Sequence, residues 1–206
     1  MATQGDGTLK DMKVLLLAKY GRLAASTRLR SLQYLPGLAQ TGVEVEVQSL
    51  LSDRALLERY TKGRYTFKSV LYAYMQRARV LFGRHKFNLI WIEKEAFPWW
   101  PLWLEKLLVS GVPYVLDYDD ADFHYYDRHR WAWVRKLFGR RLDGLMAGAE
   151  LVLAGNGYLA QRARDAGARW VEILPTVIDI DRYPNERSRP LLLSPEIIRV
   201  VWIGSP

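Results

Sequence analysis

The sequence predicts an α/β fold, a mostly parallel sheet with helices on both faces. Three observations carry that expectation. Short apolar runs recur at 13–18, 43–50, 87–92, from Tyr114, at 150–154 and at 170–174. The segments between them have helical spacing, and β-α-β-α alternation at such short intervals argues for parallel strands joined by right-handed crossovers. The composition is that of a globular chain, 50% hydrophobic and 25% charged over 206 residues, long enough for one well-cored domain.

The elements follow in order. Residues 13–18 (KVLLLA) read as a buried first strand after a polar tail. Ser26 or Thr27 is expected to cap a helix running to about Gln40. Leu29, Leu32, Leu35 and Leu38 give it an apolar face, Pro36 implies a kink or break, and Gly42 stands past its end. Residues 43–50 alternate as a second strand. Residues 53–84 read as two helices separated by Gly63. They mix Arg54, Arg59, Lys62, Arg64, Lys68, Arg77, Arg79 and Arg84 with Tyr60, Tyr65, Phe67, Tyr72, Tyr74 and Phe82. Residues 87–92 form the third strand and end in Glu93, Lys94 and Glu95; Phe97 to Trp103 opens the next helix, to about Ser110.

The strand from Tyr114 ends in Asp117, Asp119, Asp120 and Asp122, with His124 and Asp127 close behind. In an open α/β sheet, ligands bind outside the carboxyl ends of the strands where the strand order reverses. Charge gathered there is costly unless something uses it. Residues 128–149 read as one long basic helix. Residues 150–154 are the fifth strand, Asn156 opens a helix that Gly167 stops, and 170–174 are the sixth strand. Residues 181–195 are polar and proline-bearing, like a linker, and 197–203 (IIRVVWI) read as the first strand of a further unit.

Composition also excludes. Without cysteine there are no disulfides and no thiolate metal sites. No apolar run approaches the roughly 20 residues of a membrane-spanning helix. The net charge of +8, from 30 Lys+Arg against 22 Asp+Glu, favours an anionic partner: nucleic acid, anionic lipid or a phosphorylated substrate. The 54–86 stretch reads either as a solvated helix pair or as an element facing anionic lipid. The Phe97–Trp103 aromatics read as core packing or as a stacking surface.

Several stretches together resemble the N-terminal half of a GT-B-fold glycosyltransferase of the group 1 (family 4) type. They are Ala25-Ser-Thr-Arg28-Leu-Arg30 with Gln33-Tyr-Leu-Pro36, Ile92-Glu-Lys-Glu95 with Phe97-Pro98, Asp117-Tyr-Asp-Asp-Ala121, Ala154-Gly-Asn156-Gly-Tyr158-Leu-Ala160, and Pro175-Thr-Val-Ile-Asp179. The resemblance implies two Rossmann-like domains across a cleft, and retaining transfer of a sugar from a nucleotide-sugar to a glycan or lipid-linked acceptor, without a metal. It implies a setting at the cytoplasmic membrane face, building surface polysaccharide or glycolipid. On that reading 1–12 is a tail, 13–184 is the acceptor-side domain, and 185–206 is a linker with the first strand of a truncated donor domain. The fragment itself then holds no cofactor and is inactive alone; the nucleotide-sugar belongs to the missing domain. Asp119, with Asp120, falls where the family often has a histidine and is the catalytic candidate, orienting a donor hydroxyl or stabilising an oxocarbenium-like carbon. Arg28, Glu93, Lys94, Glu95, His124, Asn156 and Tyr158 are the acceptor-binding candidates, with Arg28 expected to reach a phosphate from the helix start.

Alternatives stay open at this level. The 117–129 loop reads as caps and ion pairs, as a cleft-facing group, or as an oxygen-rich metal site of a hydrolase. Asn156 reads as a helix cap or a ligand contact. The basic aromatic stretch admits a nucleic-acid module, although no recognised nucleic-acid motif accompanies it.

Overall fold

The computed structural model describes residues 12–180. The linker and strand expected at 181–203, and the tail up to residue 11, lie outside the described residues. Six strands form one all-parallel sheet: β1 (Met12–Tyr20), β2 (Val43–Leu51), β3 (Leu89–Glu93), β4 (Tyr114–Tyr118), β5 (Leu151–Ala154) and β6 (Val171–Ile173). Their order is β2-β1-β3-β4-β5-β6. The chain steps from β1 to one side, then crosses back and proceeds to the other, so the order reverses between β1 and β3. This is an α/β Rossmann-like sheet.

The helices are α1 (Ala25–Arg30), α2 (Leu35–Gln40), α3 (Asp53–Lys62), α4 (Phe67–Phe82), α5 (Leu102–Val109), α6 (His124–Asp127), α7 (Ala132–Phe138), α8 (Arg141–Met146) and α9 (Gly157–Asp165). Right-handed crossovers put α1 and α2 on one face and the later helices on the other. The side chains agree. Leu15, Leu17, Ile90, Ile92, Leu116 and Val152 enter one core with Leu81, Leu108, Leu145 and Ala160. Alternation along the strands sends Glu93 and Asp117 to the opposite face, where Thr27 and Arg30 of α1 meet them.

Two expected helices are broken. The segment 26–40 is α1, a 3-10 turn at Leu32–Tyr34, and α2. Thr27 and Ser26 do not cap it: the N-cap is Ala24, and Thr27 is buried within the helix. Ser31 Oγ donates to the Thr27 carbonyl, a local bond that competes with the helical ladder, and Pro36 is accommodated in the first turn of a new helix. Arg28 therefore stands in the last turn of α1, at the negative end of the helix dipole, not at its start. The segment 128–149 is likewise α7 and α8, with Trp131 extended and Arg140 outside helical geometry. At Gly139 the chain closes so tightly that a Cβ would lie 2.3 Å from the Arg135 carbonyl oxygen. The break turns Arg141 inward, where it is buried against Glu95 and Glu105.

Candidate functional site

The site is the carboxyl edge of β1, β3 and β4, beside the reversal of strand order. β3 and β4 run in parallel register, with Glu93 opposite Asp117. Two carboxylates thus stand side by side on one face, both buried, an arrangement that repels unless compensated. Arg30 of α1 supplies the compensation for Asp117, donating through Nε at 3.0 Å and pairing again through Nη2. Glu93 receives only the Thr27 hydroxyl, at 3.0 and 3.2 Å to its two oxygens. Burial, with the neighbouring carboxylates adding to it, pushes Glu93 up to about 7 despite Thr27 and Lys94. Burial likewise pushes Asp117 up to about 6 against the pull of Arg30. Perturbed carboxyls of this kind gather at functional sites.

Lys94 follows directly. It is buried, and its backbone is left-handed (φ 67°), as is that of Trp99 (φ 64°) on the same loop. Side chains with a Cβ adopt that region rarely and at a cost. The turn aims the Lys94 ammonium at three carboxylates: Asp119 at 3.0 Å, Asp122 at 3.2 Å and Asp120 at 3.3 Å. Asp122 also takes Lys19 of β1 at 3.1 Å. Burial pulls the Lys94 ammonium down, but Asp122, Asp119 and Asp120 outweigh it and hold it above the usual lysine range. The same balance, led by Asp122 against burial, raises Lys19. Oxygens of Asp119, Asp120 and Asp122 lie within 4.8 Å of one another, a spacing a divalent cation could use. Lys94 is the cation those oxygens converge on.

The remaining expected residues divide. Asp119 is half-buried beside Lys94, and Asp120 is exposed at the rim. Glu95 points away from this edge into the core, accepting the Tyr126 hydroxyl at 2.7 Å and pairing with Arg141. Arg28 is exposed and braces the loop after β1, donating to the carbonyls of Arg22 at 2.8 Å and Leu23 at 2.7 Å. Asn156 caps α9: its Oδ1 accepts the Leu159 N–H at 3.0 Å. His124 and Tyr158 come together, Nε2 to hydroxyl 2.7 Å, at the ends of β4 and β5. Of the aromatic loop, Phe97 is buried and stacked on Trp100 at 4.5 Å, while Trp99 and Trp103 are exposed. Sequence reasoning read Thr27 only as a helix cap, quoted Arg30 only within a family-like stretch, and did not single out Lys19; none was expected at the site. No local pattern marks them, since each acquires its role only when β3 and β4 are laid beside β1 and α1. A cleft of about 880 Å³ between β2, α3 and α4 lies away from this edge and gathers no comparable chemistry.

The raised Glu93 gives a pH prediction. Its folded pKa exceeds the unfolded value of 4.5, so its contribution to stability is full below about 4.5 and is lost as pH rises through about 7. At roughly 1.4 kcal/mol per pKa unit this reaches about 3 kcal/mol. Glu93→Gln, which can still accept from Thr27, should match wild type within about 1 kcal/mol at pH 5 and exceed it by about 2–3 kcal/mol at pH 8. Urea unfolding at the two pH values measures this, and an equal difference at both would show that Glu93 ionises as in the unfolded chain.

No protein-family model matches this chain, and no curated protein matches it. Among solved structures it is similar to Anabaena HepE, crystallised in complex with UDP-glucose, at 17% identity and a TM-score of 0.47. The alignment covers 82% of this chain and 45% of that one, so the chain spans less than half the length of the HepE chain.

Proposed function

We propose that this chain is the acceptor-side domain of a GT-B-type glycosyltransferase, holding a glycan or lipid-linked acceptor against a nucleotide-sugar bound by a second domain. The observation that carries the reading is the buried Glu93, Lys94, Asp117 and Asp122, with half-buried Asp119, at the reversal of strand order. A carboxyl edge with fixed carboxylates and ammonium groups suits hydrogen bonding to a polyhydroxy ligand, and its position is where ligands bind in open α/β sheets. The resemblance of the family-like stretches supports retaining sugar transfer as the reaction. In that role Asp119 and Asp120 orient hydroxyls beside the reacting carbon. A station at an anionic membrane surface belongs to the same reading. Along α4, Phe67, Leu71, Met75 and Phe82 form an exposed stripe beside exposed Lys68 and Arg79, as an interfacial helix requires. Among the described residues, no helix is long and apolar enough to cross a membrane.

The test is a nuclear magnetic resonance titration of the chain with a panel of mono- and oligosaccharides, and with anionic vesicles. Saccharides should shift Lys94, Asp119, His124 and Tyr158, and vesicles should broaden α4. The reading is overturned if no saccharide shifts that edge while DNA or RNA binds with steep salt dependence.

A further inference from the structure

Beyond Asp122 the chain turns through α6 and presents a second constellation. His124 Nδ1 lies 2.7 Å from Asp127 Oδ1, and His124 Nε2 lies 2.7 Å from the Tyr158 hydroxyl. Asp127 Oδ2 pairs with Arg162 at 3.2 Å, so the carboxylate is held at both oxygens, with Oδ1 left to the imidazole. The His124 ring stands edge-on to the buried Phe123, centroids 4.6 Å apart, and the Arg162 guanidinium covers the Phe123 ring at 4.6 Å. α6 follows β4 and α9 follows β5, and the contact spans 34 residues of sequence, so the fold itself brings these groups together at the carboxyl edge.

A carboxylate on Nδ1 selects the imidazole tautomer with the proton on Nδ1 and turns the Nε2 lone pair toward the phenol. This is the nucleophile–base–orienting-acid arrangement, with a tyrosine in the outer position. We infer that Asp127, His124 and Tyr158 form a proton relay whose outer oxygen, the Tyr158 hydroxyl, acts as a general base at this edge. Its part in sugar transfer rests on the function proposed above. The acceptor hydroxyl gives its proton to the Tyr158 oxygen as the Tyr158 proton passes to His124 Nε2. On the face of the sugar that the diphosphate leaves, as retention requires, the acceptor oxygen bonds to the anomeric carbon while the bond from that carbon to the nucleotide's phosphate oxygen breaks, and the nucleoside diphosphate leaves with the electron pair. Asp127 offsets the positive charge left on His124.

The relay is testable without any sugar. An aryl sulfonyl fluoride sulfonylates a tyrosine oxygen with loss of fluoride, and the phenolic proton must go to a base. Tyr158 is 57% exposed, and Tyr60, Tyr72 and Tyr125, at 63%, 61% and 64%, serve as controls of matched access in the same molecule. Peptide mass spectrometry over a time course should show Tyr158 labelled on the order of tenfold or more faster than the controls. His124→Ala and Asp127→Asn should each bring Tyr158 to the control rate while Tyr60 and Tyr72 stay unchanged, which also reports that the variant is folded. Labelling of wild-type Tyr158 at the control rate, or undiminished fast labelling in His124→Ala, would overturn the relay. Because no saccharide takes part, this result and the saccharide titration can fail independently.

Discussion

Replacing Arg141 by methionine should destabilise the chain by about 3–5 kcal/mol, because it leaves buried carboxylates without their counter-charge. Arg141 is buried and pairs with both Glu95 and Glu105. Its guanidinium also donates to the carbonyls of Trp100 and Phe97 and stands 5.5 Å from the Tyr126 ring centroid. Burial already pushes Glu105 up to about 7, with Arg141 the main force holding it down. For a chain of this size the loss corresponds to roughly 6–20 °C in thermal midpoint, read by circular dichroism. A variant carrying Glu95→Gln and Glu105→Gln as well should recover much of the loss, since the charges leave together. A single variant within 1 kcal/mol of wild type, or a triple variant as unstable as the single, would refute this account of Arg141. The network also matters to the site. Glu105 accepts the Ala96 N–H at 2.7 Å and Tyr126 accepts the Trp99 N–H at 3.1 Å, so the same cluster holds the loop on which Lys94 and Trp99 adopt left-handed backbone.

The sheet was legible from sequence because its signal is local. Each of the six apolar runs among the described residues is a strand, and turn residues such as Gly42, Gly63 and Gly167, all with positive φ, fall where the elements stop. The acidic end of β4 was legible for the same reason: Asp117 to Asp122 are consecutive or nearly so. The partners of those acids were not. Arg30 carries no mark in the sequence that pairs it with an acid, and only the crossover from β1 places it over Asp117, 87 residues away. Glu93, Lys94 and Glu95 read equally as a strand-end ion-pair network or as acceptor-binding residues; strand alternation and the tight turn at Lys94 send them three ways, to α1, to the Asp loop and into the core, with Lys94 and Glu95 in ion pairs. The long helix expected at 128–149 failed because helical periodicity cannot reveal a buried ion pair. Arg141 fits an exposed basic face by spacing, and the break before it exists to bury it. His124 and Tyr158 were singled out separately, and their mutual contact is a product of β4 and β5 pairing.

Lys94→Ala should have an effect of similar size, about 3 kcal/mol or more, for the converse reason: it removes the cation that Asp119, Asp120 and Asp122 share. Lys19 remains on Asp122 but reaches only one of its oxygens. Lys94→Gly should be more stable than Lys94→Ala by roughly 1 kcal/mol, because a residue at φ 67° without a Cβ is unstrained. The vacated space between the three carboxylates then suits a hard divalent ion, with oxygen ligands at about 2.1–2.4 Å. Millimolar Mn²⁺ should raise the melting temperature of Lys94→Ala by an amount matching up to about 2.7 kcal/mol at a hundredfold excess over the dissociation constant. Wild type should not respond, because Lys94 already fills that place. A wild-type shift equal to that of the variant would mean that the carboxylates take a metal with Lys94 present, and the metal-dependent hydrolase would then displace the transferase reading. A destabilised variant that Mn²⁺ rescues would make Lys94 the built-in counter-ion of this edge, with Asp119 and Asp120 oriented by its ammonium group.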